Sequence, residues 1–122
     1  MFGFMIIKSD NMSPSIKPGS LIIYYKLNKE YNKDDVIVKE NQIYRIIGIK
    51  SDNIVINNNQ LFINEIKEED KIYYDQTIEY HLSDNEYFAL NDNRRNINDS
   101  RSFGIISKID GLVIAKIQIR SF

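Results

Sequence analysis

Short runs rich in isoleucine, valine, tyrosine and phenylalanine recur along the chain, each closed off by polar residues. The runs at residues 4–8, 21–26, 36–39, 43–49, 53–56, 61–63, 87–90 and 112–119 have the length of strands rather than helices. Between two of them, Asn57, Asn58 and Asn59 read as a hairpin turn, because asparagine tolerates positive φ. Pro18, Gly19 and Ser20 read as a turn that delivers the chain into the second run. Helical signals are few. Residues 13–17 suit a single turn with Pro14 near its start and Pro18 as its stop, and the charged stretch 65–70 suits a loop or a short helical turn. The pattern predicts one mainly β domain over residues 1–122, built of short, mostly antiparallel strands with little helix.

The apolar opening run, residues 1–7, is too short to span a bilayer and carries neither a basic leader nor a cleavage site. It reads as a buried core strand, with a strand dipping into a membrane surface as the alternative. Sixteen basic residues against seventeen acidic give a net charge of -1, which offers no bulk attraction to nucleic acid or to an acidic membrane. With no cysteine and His81 as the single histidine, the sequence points to no metal site and no cofactor.

Three segments carry chemistry. The first runs from Ser9 through Asp10, Asn11, Met12, Ser13, Pro14, Ser15 and Ile16 to Ser20; the second from Tyr44 through Arg45, Ile46, Ile47 and Gly48 to Ile49, followed by Ser51 and Asp52. The third runs from Asn91 through Asp92, Asn93 and Arg94 to Asp99, Ser100, Arg101 and Gly104. In order and spacing they resemble the blocks of type I signal peptidases (the S26-like family), which read S-x-S-M-x-P-T-L, K-R-V-I-G and G-D-N-R-x-x-S-x-D-S-R-x-x-G. The resemblance runs from about Lys8 to Ile119 and is weakest from Ile66 to Asp84. It implies the signal-peptidase β fold.

The departures fall on the chemistry. The resemblance places Asn11 where the nucleophilic serine belongs and Tyr44 where the lysine base belongs. It places Ile97 where a serine stands beside that lysine. An amide has no useful nucleophile, a phenol with a pKa of about 10 is a poor base near neutrality, and isoleucine forms no hydrogen bond. The expectation is therefore a protein that is not an enzyme. Ser9 remains at the position of an oxyanion-hole hydroxyl, and a peptidase with an unusual catalytic pair around Ser9 is the alternative. His81 lies in the stretch of poorest resemblance, and Lys8, Lys17 and Arg45 are the other cations to consider.

In the family, substrate lies as an extended strand between the first and second blocks. Carried over, this implies groove walls at residues 6–11 and 42–44, with Ile7, Lys8, Ser9, Asp10, Asn11, Met12, Gln42, Ile43 and Tyr44 as binding residues. Strand addition needs no nucleophile. Asn93, Asp99, Ser100 and Arg101 are implied as a hydrogen-bonded structural hub. The double loss resembles the signal peptidase-like proteins of Gram-positive bacteria that lack the dyad and assist pilus polymerisation (the SipA type). That likeness implies an accessory protein outside the cytoplasm, held at the membrane by an anchor beyond this chain. Its partner would be a pilin subunit or sortase-linked pilus machinery.

Overall fold

The computed structural model describes residues 1–118, which form ten strands and one short helix in two sheets. Strands β1 (Phe2–Ile6), β2 (Leu21–Tyr25), β3 (Val36–Lys39), β4 (Gln42–Gly48), β9 (Phe88–Leu90) and β10 (Gly111–Ile117) make a six-stranded sheet in the order β1-β2-β10-β3-β4-β9. Strands β5 (Asn53–Asn57), β6 (Gln60–Ile63), β7 (Ile66–Lys67) and β8 (Ile78–His81) make the second, in the order β7-β6-β5-β8. Every pairing between these strands is antiparallel. Helix α1 spans Ser100–Phe103. The mainly β reading holds, and the last residue of the final predicted strand, Ile119, lies outside the described residues.

The turns follow from left-handed residues. Asn58 and Asn59 (φ 51° and 60°) close the β5–β6 hairpin with Asn57 opposite Gln60, as the asparagine run predicts. Glu40 with Asn41, and Asn64 with Glu65, make equivalent two-residue turns at β3–β4 and β6–β7. The stretch 65–70 is thus neither a simple loop nor a helical turn, because Ile66 and Lys67 pair with Ile63 and Phe62. Residues 13–17 hold a tight turn rather than the expected turn of helix, with the Ile16 N–H donating to the Met12 carbonyl at 2.8 Å.

β4 shows how alternation distributes the core. Ile43 and Ile47 face one side, and Tyr44 and Ile46 the other. Ile43 packs with Ile7, Met12, Ile16, Ile22 and Val38; Tyr44 and Ile46 pack with Tyr31, Ile37, Tyr87 and Ala89. Ile47 joins a third cluster with Ile54, Ile56, Leu61 and Phe88 that bonds the two sheets together.

The opening run is not a core strand throughout. Phe2, Phe4 and Ile6 are 54%, 65% and 46% exposed, and of residues 1–7 only Gly3 and Ile7 are buried. The reason is alternation: Phe2, Phe4 and Ile6 share the face of β1 turned away from the core, while Gly3, Met5 and Ile7 turn toward it. No helix among the described residues is long and apolar enough to cross a membrane.

Candidate functional site

Three segments meet beside the start of β4: the turn after β1, β4 itself, and the loop from β9 into α1. Asn11 is 4% exposed at their junction. Its amide nitrogen donates both protons, to the Ile43 carbonyl at 2.8 Å and to Asn91 Oδ1 at 2.9 Å. Its amide oxygen accepts from the Ser9 hydroxyl at 2.6 Å. Each polar atom of the side chain is committed to holding the three segments together.

Tyr44 lies on the opposite face of β4 from Ile43, buried in the aromatic cluster and edge-on to Phe103 of α1 at 5.8 Å between ring centroids. Burial raises its phenol pKa above the usual value, and the charges of Asp99 and Glu40 raise it further. The phenol is therefore protonated near neutrality and no base. Ile97 is 39% exposed, and it contributes its backbone carbonyl, which accepts from the Ser102 hydroxyl at 2.5 Å.

Asp99, Ser100 and Arg101 are fully or almost fully buried. Asp99 is the N-cap of α1, accepting from the Arg101 N–H at 3.0 Å. Its carboxylate also takes Arg101 Nε at 2.9 Å, Arg101 Nη2 at 2.5 Å and the Asn91 N–H at 2.8 Å. Arg101 spends its remaining donors on the carbonyls of Ile72, Arg94 and Asn96, at 2.5, 2.7 and 2.8 Å. Ser100 Oγ accepts from the Ala89 N–H at 3.0 Å and so ties α1 to β9.

The implied hub needs one correction. Asn93 is not among these partners, because its N–H donates to the Asn11 carbonyl at 2.9 Å and its side chain reaches the Asp10 carbonyl at 3.4 Å. The asparagine inside the network is Asn91, which also donates to the carbonyls of Asn96 and Asn98 at 2.8 and 3.4 Å.

Arg45 grips Asp92 with two parallel bonds, Nε to Oδ1 at 2.9 Å and Nη2 to Oδ2 at 2.8 Å. Burial alone would raise the Asp92 pKa, but the Arg45 guanidinium and the Ser15 hydroxyl hold it below the usual carboxylate range. The folded state thus binds this proton less readily than the unfolded chain. The resulting stability is fully present above the unfolded carboxylate pKa of about 4 and is lost as pH falls through the lowered folded value. Urea midpoints measured from pH 6 to pH 3 should fall less steeply for Asp92→Asn than for the parent. Equal slopes would mean that the pair contributes nothing.

The groove is open and shallower than the sequence implies. A cavity of about 380 Å³ is lined by Met5, Ile6, Ile7, Lys8, Ser9, Asn41 and Gln42. Ile7, Lys8, Ser9 and Gln42 therefore lie where the resemblance puts them. Asn11, Met12 and Ile43 do not: they are buried beneath the wall in hydrogen bonds and core packing. Asp10 is exposed outside it, and Tyr44 neither lines nor plugs it, because it faces the other side of β4. Ile7 turns its N–H and carbonyl toward Ser20 and Gly19, so alternation points the backbone groups of Ile6 and Lys8 to the free edge.

A family profile for signal peptidases of the peptidase S26 family matches residues 1–122. The chain belongs to that family. It is 29% identical over 119 residues to signal peptidase I U of Bacillus subtilis, covering 80% of this chain and 64% of that protein. To signal peptidase I S of the same species it is 27% identical, covering 88% and 71%. To signal peptidase IB of Staphylococcus aureus it is 25% identical, covering 93% and 74%. The crystal structure of a signal peptidase I from Enterococcus faecalis superposes with a TM-score of 0.55 at 20% identity, over 70% of this chain and 98% of that one, a likeness of fold. The chain thus spans just under two thirds of the first of these relatives.

Within the signal peptidase frame, Asn91 stands where the third block opens with glycine. Its side chain occupies space that a glycine would leave empty, and it bonds the residue at the nucleophile position. The sequence offered a signal for this in that departure from the block, which carries an amide where the family pattern has no side chain.

Proposed function

We propose that this chain is a non-catalytic signal peptidase-like domain that binds an extended segment of a pilin subunit, or of sortase-linked pilus machinery, during pilus assembly. The observation that carries the non-catalytic reading is the Asn11 amide, wholly engaged by Ile43, Asn91 and Ser9 at the nucleophile position. Binding by strand addition is supported by the free edge at Ile6 and Lys8 beside the open groove. The pilus partner rests on the resemblance to dyad-less accessory proteins, as do a membrane anchor outside this chain and a place on the extracytoplasmic face.

The test uses the outward backbone donors. Ile6→Pro deletes one N–H at the free edge while leaving the β1–β2 ladder intact. A strain lacking the gene should make no pili; the parent gene should restore them, and Ile6→Pro should not. Normal pili in the deletion strain would sink the proposal.

A peptidase built around Ser9 is the second reading, favoured by relatives whose names are those of signal peptidases. Against it, the Ser9 hydroxyl donates to an amide oxygen, which is not a base. His81 sits in the second sheet, with Nδ1 2.6 Å from Asn53 Oδ1, and Arg45 is engaged by Asp92.

A further inference from the structure

A second cavity, of about 350 Å³, opens among Ser13 and Pro14, the segment Asp70 to Tyr73, and Asp92 to Arg95. Three cations stand around it: Lys71, Arg94 and Arg95. Of its two carboxylates, Asp92 is already neutralised by the bidentate Arg45 pair. Asp70 is 72% exposed and comes only to 4.0 Å from Arg94 Nη1. The pocket therefore carries a net positive charge in a chain whose sum is -1.

Arg94 is under-satisfied there. Its side chain is 16% exposed, and its Nε is buried with no acceptor among the described residues. Nε itself is sealed from the pocket, so an incoming oxyanion would meet the Arg94 guanidinium at its Nη atoms, of which Nη1 has only the exposed Asp70 near it, at 4.0 Å. The other two cations are held in place. Lys71 Nζ and Arg95 Cζ each lie 5.0 Å from the centroid of the Tyr73 ring. Tyr73 has φ 53°, an uncommon conformation for an aromatic residue. Cations fixed in advance lose less freedom when a ligand arrives.

We propose that this pocket is a carboxylate-binding site that takes an acidic side chain of a peptide. A peptide fits better than an anionic bilayer, because the exposed acids Glu65 and Glu69 stand on the adjoining segment and would be repelled by a charged surface. The location adds a role. Ser13 and Asn93 line the pocket, and the Asn93 N–H bonds the Asn11 carbonyl, so the pocket and the groove flank one turn, residues 9–13. A strand lying along Ile7 to Ser9 and continued past Asn11 meets the cations next, which would select partners with an acidic residue a few positions beyond the bound segment. That last step rests on the strand-binding reading above.

The experiment is a nuclear magnetic resonance titration of the whole chain, labelled with nitrogen-15. The probes are a capped peptide with one glutamate, its glutamine counterpart, and phosphatidylglycerol vesicles. The glutamate peptide should shift the Arg94 Nε–H resonance saturably, and the glutamine peptide should not. Lys71→Gln and Arg95→Gln should each weaken that binding about threefold, and Asp70→Asn, which removes the internal competitor, should tighten it. Equal response to the two peptides, unaltered binding in all three variants, or saturation by vesicles alone would overturn the site. The amides of Ile6 and Lys8 report the groove separately. Shifts there without Arg94 overturn the pocket and spare the groove; shifts at Arg94 alone do the reverse, and silence at both overturns both.

Discussion

Arg101→Met should cost about 3–5 kcal/mol of folding stability, the loss that follows when one partner of a buried ion pair is removed. Both side chains of the Asp99–Arg101 pair are 0% exposed. Methionine fills similar volume but leaves the Asp99 carboxylate buried beside an apolar chain. It also strips acceptors of Arg101, the carbonyls of Ile72, Arg94 and Asn96, of a donor. Out of a total stability of about 5–15 kcal/mol, such a loss leaves a marginal fold. Arg101→Lys should not rescue it, because an ammonium has three donors and cannot reproduce the fork on Asp99. Asp99→Asn combined with Arg101→Met should cost less than the two changes summed, since the second removes the charge stranded by the first. Urea unfolding checks all of these, and a loss below about 1 kcal/mol for Arg101→Met would remove the pair from its anchoring role.

A signal-peptide substrate should be cleaved by this protein at least about ten-thousandfold more slowly than by an intact serine–lysine enzyme, the scale on which such catalytic units fail when members are lost. Asn11→Ser alone should not recover the rate. The new hydroxyl would find no base beside it, because the Tyr44 phenol lies on the other face of β4 and is kept protonated by burial and by Asp99. It would also replace both amide protons that reach Ile43 and Asn91, loosening the junction around it. Ser9→Ala should leave any residual cleavage unchanged. Cleavage by the parent that disappears in Ser9→Ala would establish the enzymatic reading in place of the binding one.

Much of the fold is legible in the sequence because most strands are carried by isoleucine-rich runs between turn residues. Ile37, Ile43, Ile54 and Leu61 are buried where such runs predict a core. The strands that escape notice are those whose cause is not apolar content. Ile66 and Lys67 pair because Asn64 and Glu65 fold the chain back, and a glutamate is a poor advertisement for a left-handed turn. Ile78 to His81 alternates half-buried and exposed residues, a two-residue period too short to stand out among charged neighbours. At the site, the resemblance to the signal peptidase blocks implied the positions of Asn11 and Tyr44, but not the way their side chains turn. Tyr44 faces away from the groove because β4 alternates, and Ile43 faces the turn instead. Asn91 is marked in the sequence only as an amide where the third block opens with glycine, and its bond to Asn11 shows what that amide does.

The place of β10 in its sheet has a consequence for biosynthesis. The last described strand lies between β2 and β3, so it joins the hairpin of β1 and β2 to that of β3 and β4. A chain that emerges amino end first can form both hairpins early but cannot close the sheet until residues 111–117 are free. Until then β2 and β3 each present an open edge, the arrangement that invites pairing with a second chain. A chain ending before Gly111 should therefore associate or be degraded rather than persist as a smaller folded monomer, and exposure to aggregation should last until the final strand is released.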